Sequence, residues 1–504
     1  MTPRAAVAFA CLLVPAVALA AQPWRNYGRD AQHSARAPRS AQPLEEIHWQ
    51  APVDEQPQYA PGGELFIHYG TPLVTRRNTV VFPVKTGVDG GFRIEARSGR
   101  TGAVLWKFAT DYELPPHHWT PGCGVCLGAG DRVVAPALGG TVLVLEKPDT
   151  ATEPVEPARI AFFGDAAYAA DKAAFDANVR ICSPIVSAAN GDLYFGFLAG
   201  VGAPQGLTSG IARIPAKGAP VWTSATDAAD DVSVTEPAMN AAPALSPDGR
   251  TLYVAVTGGA GFLCALDART LVRRSSVRLK DVLQPGEDAE VLGDATASPA
   301  VGPDGDVYFG VLEGGTSFNF FRGWLLHFDA GLSTSKTPGS FGWDDTASIV
   351  PKSAVPSYRG RSKYLVLTKY NDYASVGGTG VNRLAVLDPN ASQVDARTGA
   401  TVMAEVLTIA GPTPDPENRD AQHPDAVREW CINTAAIDVK GRCALVNNED
   451  GVLYRWDFRR NTLSQSVVLT QGIGEAYTPT VVGPDGQVYA INDATLFAVG
   501  RKAK

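Results

Sequence analysis

The chain has no dense run of lysine and arginine, and its 44 basic residues are outnumbered by 52 acidic ones, for a formal net charge of −8. Nucleic acids and anionic membranes are held by concentrated cationic surface that displaces counterions, so neither is expected as a partner. After the first twenty residues no stretch approaches the roughly 20 consecutive apolar residues that span a bilayer as a helix, so no transmembrane segment is expected. Histidine is scarce, seven in 504 residues, and the spacings that would make it a signature are missing. Covalent haem attachment needs CxxCH, and Leu127 follows Cys126; HExxH, the GxSxG elbow, the P-loop and the EF-hand loop are absent as well. No two cysteines are adjacent, and helical periodicity is nearly absent.

The amino terminus has the pattern of a secretory signal peptide: Arg4, an apolar run over residues 5–19, and small residues at Ala18 and Ala20. Cleavage after Ala20 or Ala21 would leave a periplasmic or secreted protein over 22–504, read as one domain. Its six remaining cysteines are an even number, compatible with disulfides, but no pairing follows from that count. A composition 45% apolar and 19% charged is globular, with ample chain for a large core.

One pattern recurs: a short strand opened by a small residue and proline, a turn at Pro-Asp-Gly or Asn-Gly, and an aromatic-rich strand. "SPIVSAANGDLYFGF" from Ser183, "APALSPDGRTLYVAV" from Ala242, "SPAVGPDGDVYFGV" from Ser298 and "TPTVVGPDGQVYAI" from Thr478 are its clearest copies. Glycine supplies the positive φ of a tight turn, and alternating Val, Leu, Tyr and Phe suit half-buried antiparallel strands, so each copy reads as a hairpin. Weaker copies open at Thr71, Thr120, near Ser353 and near Cys431. A strand-rich repeat at a spacing of roughly 40–60 residues indicates an all-β propeller of eight four-stranded blades, with seven the other count the spacing allows. The last hairpin runs into "TLFAVG" without an outer strand, and residues 45–53, "EEIHWQAPV", are expected to supply it and close the ring.

The later strands of each repeat carry a second signature. "ARSGRTGAVLW", residues 96–106, has the spacing Ala-x-Asp-x-x-Thr-Gly-x-x-x-Trp with Ser98 at the Asp position; "ARIPAKGAPVW" from Ala212, "ALDARTL" from Ala265 and "VDARTGATVM" from Val394 keep parts of it, with Met403 at the Trp position. Thr-Gly should turn the third strand into the fourth, and the large residue should pack between blades. This spacing, and the Trp24-x-x-Tyr27-Gly28 start, resemble the quinoprotein propellers, the pyrroloquinoline-quinone (PQQ) alcohol dehydrogenases and their non-enzymatic relatives. The resemblance covers nearly the whole mature chain, and what it implies is fold. Enzymes of that group place an adjacent Cys-Cys disulfide over PQQ, a Trp beneath it and a Ca²⁺ held by Glu, Asn and Asp. Here the nearest substitute is "CGVC", Cys123 and Cys126.

In a propeller the loops leading into the innermost strands gather at one mouth of the central channel. The residues in that position give a candidate catalytic set of His68, His118 and Tyr477. The candidate ligand-binding set is Tyr69, His117, Trp119, Arg180, Asn240, Asp294, Lys352, Arg428, Glu429, Trp430 and Glu475, with Tyr370 and Asn371 added from the glycine-rich connection 368–389. His117, His118, Cys123 and Cys126 are the residue types that bind zinc or copper, but adjacent strand residues face opposite ways, and a disulfide or buried thiols fit CGVC better. Three function classes follow: a PQQ-dependent oxidoreductase of alcohols or sugars, a polysaccharide lyase using His and Tyr for proton transfer with Arg180, Lys352 or Arg428 on the substrate carboxylate, and a non-catalytic protein-binding scaffold. All share a ligand site at the mouth, for a small molecule, a saccharide or a protein. "RDAQH" occurs at 29–33 and at 419–423; the copies hold unlike places in the repeat, so the match reads as coincidence.

Overall fold

The computed structural model describes residues 22–59, 65, 67–88, 90–117, 122–292, 297–472 and 477–503. The leader lies outside them. Eight antiparallel sheets follow one another along the chain, each spanning an innermost to an outermost strand. Blade one runs from Leu73–Val74 to Val104–Ala109, blade two from Cys126–Leu127 to Ala158–Ala161, and blade three ends at Val221–Ser224. Blade four ends at Arg273–Arg278, blade six runs from Ser348–Pro351 to Thr401–Ala410, and blade seven from Ala436–Asp438 to Thr462–Val468. Blade five has three regular strands, and isolated pairs of Leu325 with Gly339 and Phe328 with Ser335 stand where the fourth would be. Pro338 lies in that stretch and has no N–H for a continuous ladder. Among the described residues no helix is long and apolar enough to cross a membrane.

The ring closes as the sequence implies. Glu46–Pro52 pairs antiparallel with Thr495–Gly500, so the first strand of the chain becomes the outer strand of blade eight. Burial follows position in the blade: Val488–Asn492 is buried throughout, whereas Thr462–Val468 alternates between exposed and half-buried residues because one face meets water. The repeat chemistry is visible at its turns. Asp267 Oδ1 accepts from the N–H groups of Arg269 (3.0 Å) and Thr270 (2.9 Å), and Asp395 Oδ1 does the same for Arg397 and Thr398. Gly102, at φ +70°, lies against Trp49, and a Cβ there would come within 2.5 Å of the indole. Trp49 Nε1 donates to Gly99 O at 2.7 Å, and Trp106 Nε1 donates to Pro148 O at 3.0 Å in the next blade, so these tryptophans do lock neighbouring blades.

The segment 24–37 does more than lead to the closing strand. It makes a circuit inside the channel, pairing in order with the free edge of the innermost strand of blades one to seven. Trp24 exchanges backbone bonds with Val74 (2.9 and 3.0 Å), and Leu127 N donates to Arg25 O (2.8 Å). The Asn26 amide then takes both backbone groups of Ser187 (2.9 Å each). Leu245 N donates to Ala31 O (2.6 Å), Val301 N to Gln32 O (2.9 Å), Ile349 N to Ser34 O (3.2 Å) and Ile437 N to Ala35 O (2.8 Å). Inner strand edges would otherwise carry unpaired donors, and this circuit satisfies them. So tight a path needs positive φ at Gly28, Arg29, His33 and Ala35. A Cβ on Gly28 would come within 2.9 Å of the His33 Cβ.

The two RDAQH copies are indeed unrelated. His33 is fully buried in the circuit, with Nδ1 2.7 Å from Pro299 O and its ring edge-on to Tyr27. His423 lies on a loop, where Asp420 accepts from its backbone N–H.

Candidate functional site

The circuit contacts the innermost strands at the ends away from their leading loops, so one mouth of the channel is floored and the other receives those loops. Tyr27 rises from the floor. Its hydroxyl, held to Thr346 Oγ1 at 2.8 Å and to Asn433 Oδ1, lies beneath a small pocket of about 30 Å³, open on one side. His68, Tyr69, Thr71, Asn240, Asn433 and Tyr477 line it, with glycines and prolines of the blade two and three loops. Those loops pack closely: a Cβ on Gly70 would lie 2.3 Å from Cys123 O.

Three sequence candidates therefore meet. His68 Nδ1 is 3.1 Å from Asn240 Nδ2 across the mouth, and the His68 ring stands edge-on to Tyr477 with centroids 5.6 Å apart. With Asn240 donating to Nδ1, the Nε2 of a neutral His68 carries the proton. Burial raises the Tyr477 phenol well above its ordinary value, so it is a proton donor and not a phenolate. Tyr69 is nearby, but its hydroxyl donates to Asp54 (3.1 Å), which also pairs with Lys85.

A second group of ionisable side chains adjoins this pocket at blades six and seven. Asp345 is 1% exposed and accepts from Thr368 Oγ1 and Lys369 N; burial raises its pKa to about 7 against the pull of Lys369. Glu449 Oε1 accepts from Glu429 N at 2.8 Å, and Oε2 from the Cys431 thiol at 3.1 Å. Burial is the largest cause pushing both glutamates upward, and the Glu449 charge adds to it at Glu429. Cys431 is pushed well above the usual thiol range by the same burial and by both carboxylates. Asn371 braces the strip from the side, its amide bonded to the backbone N–H (3.2 Å) and carbonyl (3.3 Å) of Trp430.

Other candidates lie elsewhere. His118, Trp119, Asp294 and Glu475 fall outside the described residues. Lys352 needs correction: the innermost strand of blade six is Ser348–Pro351, so the residues leading into it are Asp344, Asp345 and Thr346, and Lys352 is exposed at the far end. The Ser353-Ala-Val-Pro sequence imitates the small-residue opening of the other blades, whereas the true opening, Thr346-Ala347-Ser348, has no proline. Arg180 and Arg428 are engaged by Glu113 (2.6 Å) and Glu417 (2.9 Å). Tyr370 bonds to Ser340 and Glu405, and Trp430 is wholly buried edge-on to Tyr454. His117 is exposed with Nδ1 on Pro115 O, and Cys123 and Cys126 are buried free thiols, so the described part of the His/Cys set forms no metal site.

Lys369, Asp345 and Glu449 escaped the sequence reading. Lys369 is the penultimate residue of the second strand of blade six, and Glu449 sits in the turn between the second and third strands of blade seven. Those turns open on the same face as the loops into the innermost strands, which is the signal that could have found them.

No family profile and no curated protein matches this sequence. Among solved structures, a europium-containing methanol dehydrogenase superposes with a TM-score of 0.53 at 11% identity, covering 93% of this chain and 89% of its own. The quinohemoprotein alcohol dehydrogenase ADHIIG from Pseudomonas putida HK5 gives 0.52 at 12% identity, covering 95% and 76%. The architecture is thus the quinoprotein-like eight-bladed β-propeller, and at these identities the likeness is one of fold.

The residues present do not fit the quinone cofactor that this fold suggests. No cysteines are adjacent, and Cys123 and Cys126 have different neighbours, Tyr112 and Arg25. The described lining of the pocket over Tyr27 offers no carboxylate for Ca²⁺ and no arginine for a polycarboxylate such as PQQ.

Proposed function

We propose that the protein is an exported propeller that binds a small molecule at the open mouth of its channel, over Tyr27 and between His68, Asn240 and Tyr477. The observation that carries this reading is their convergence: side chains from the loops of blades one, four and eight, distant in sequence, meet at one pocket whose opposite end is floored. Export rests on the leader pattern of residues 1–21. A convergent set of polar groups in a concave, partly apolar pocket is the usual form of a ligand site.

The His68–Tyr477 contact favours one chemistry within this reading. A histidine held in one tautomer beside a neutral phenol suits proton transfer, and Lys369, whose Nζ lies 6.0 Å from the Tyr477 ring, would take a substrate carboxylate in the role the sequence offered to Arg180, Lys352 or Arg428. The substrate class is then an acidic saccharide, cleaved by elimination.

The test is a thermal-shift screen of neutral and acidic oligosaccharides, with ultraviolet absorbance followed for new unsaturated uronate. A hit should lose its shift in His68→Ala and Asn240→Ala, and Tyr477→Phe should retain binding while losing any absorbance gain. A hit that shifts all variants as it shifts the wild type refutes the site. Dye reduction on reconstitution with PQQ and Ca²⁺ would overturn the cofactor argument.

A further inference from the structure

Glu429, Cys431 and Glu449 each offer one ligand atom, and these atoms lie within 4.8 Å of one another, a spacing that one metal ion can bridge. The donors come from two rigid places: the strip leading into the innermost strand of blade seven, braced by Asn371, and the turn after Cys443–Asn447. The present hydrogen bonds mark where an ion would sit, because the Cys431 thiol points at Glu449 Oε2 across 3.1 Å.

A separate observation concerns Lys369. It is 2% exposed, its ammonium lies over the rings of Phe341 (5.7 Å) and Tyr477 (6.0 Å), and its charge also acts on the Asp345 carboxylate. Its charge is felt at both Glu429 and Cys431, so it faces the same space. Two carboxylates and a thiolate around a divalent ion leave one net negative charge, a sign the neighbouring ammonium tolerates.

We propose that Glu429, Cys431 and Glu449 bind one borderline divalent transition ion of the Zn²⁺ or Co²⁺ class beside the channel mouth. A thiolate selects such ions over Ca²⁺ and Mg²⁺, which take oxygen ligands. Binding expels the thiol proton and any proton held by the glutamates to solvent, with no change in oxidation state. Three protein ligands leave a position open for water or for a ligand atom. This site goes beyond the small-molecule reading and stands without it, since the metal can be measured on protein to which nothing else is bound.

The test uses the full mature chain, stripped with chelator and titrated with Co²⁺. A near-ultraviolet thiolate-to-cobalt absorption should grow to one equivalent and be displaced by Zn²⁺ but not by Ca²⁺. Cys431→Ser should abolish the band, Glu449→Gln should weaken Co²⁺ binding at least tenfold, and Cys443→Ser, a buried cysteine of the same blade, should leave the band intact. Circular dichroism identifies a variant that fails to fold, and then Glu449→Gln, which preserves shape, decides. Absence of the band in the wild type, or its survival in folded Cys431→Ser, overturns the proposal.

Discussion

Replacing Tyr27 by phenylalanine removes one hydroxyl from the floor of the channel, and its effect can be worked out from the partners left behind. Asn433 Oδ1 keeps a donor, Thr434 Oγ1 at 2.9 Å, and Thr346 Oγ1 still accepts from Ser298 N at 2.8 Å. Because the Tyr27 hydroxyl donates to Asn433, it accepts from Thr346 Oγ1, whose buried proton loses its partner in the variant, so the loss should be about 1–3 kcal/mol. Tyr27→Ala also empties a side chain that is 7% exposed and packs edge-on to His33, and should cost about 3–5 kcal/mol, as large core truncations do. Burial pushes the phenol up to about 12, so the Phe variant's deficit should be constant between neutral and mildly alkaline pH. Urea unfolding followed by tryptophan fluorescence measures both variants. A shift below about 0.5 kcal/mol for both, the range of surface substitutions, would mean that the circuit does not pack as described.

Trp49→Ala should destabilise the ring closure by about 3–5 kcal/mol, while Trp49→His, keeping a ring, should cost less; limited proteolysis near residue 50 reads the loosened strand. Arg322 and Asp395, each 5% exposed, form a two-pronged ion pair at 3.1 Å. Arg322→Ala should therefore cost about 3–5 kcal/mol by leaving a buried carboxylate, and Arg322→Met less, in chemical denaturation. For His33, burial lowers the pKa to about 4 from an ordinary 6.5. The unfolded chain binds this proton first as pH falls, so the contribution is present above about 6.5 and lost towards 4, on the order of 3 kcal/mol. His33→Asn should show a smaller loss of stability across that window than the wild type, and equal slopes would refute the assignment.

The blades were legible because strand alternation and Asp-Gly or Thr-Gly turns are local, and the closing strand followed from an unfilled edge in blade eight. Blade six misled because Ser353-Ala-Val-Pro copies the composition of an opening without its place in the sheet, which is set by the pairing of Ser348 with Leu367. Residues 24–37 gave no warning of their circuit: their bonds are to backbone groups of seven different blades, and backbone donors leave no mark in sequence. At the mouth, His68, Asn240 and Tyr477 were readable from position alone. Arg180 and Arg428 were not separable from them, because whether an arginine faces the channel or a surface glutamate depends on side-chain direction. Glu449 and Lys369 needed the second family of turns on the same face.

The most direct test of the open-mouth site is hydrogen exchange with a saturating ligand from the saccharide screen. Protection should rise at 67–71, 237–242, 430–434 and 477–480, while Trp24, Ala35 and Ala37, whose amides donate to Val74, Gly28 and Ile437, should exchange slowly with or without ligand. Protection confined to the wide groove lined by Arg36, Arg39, Lys440 and Arg501 would contradict the account.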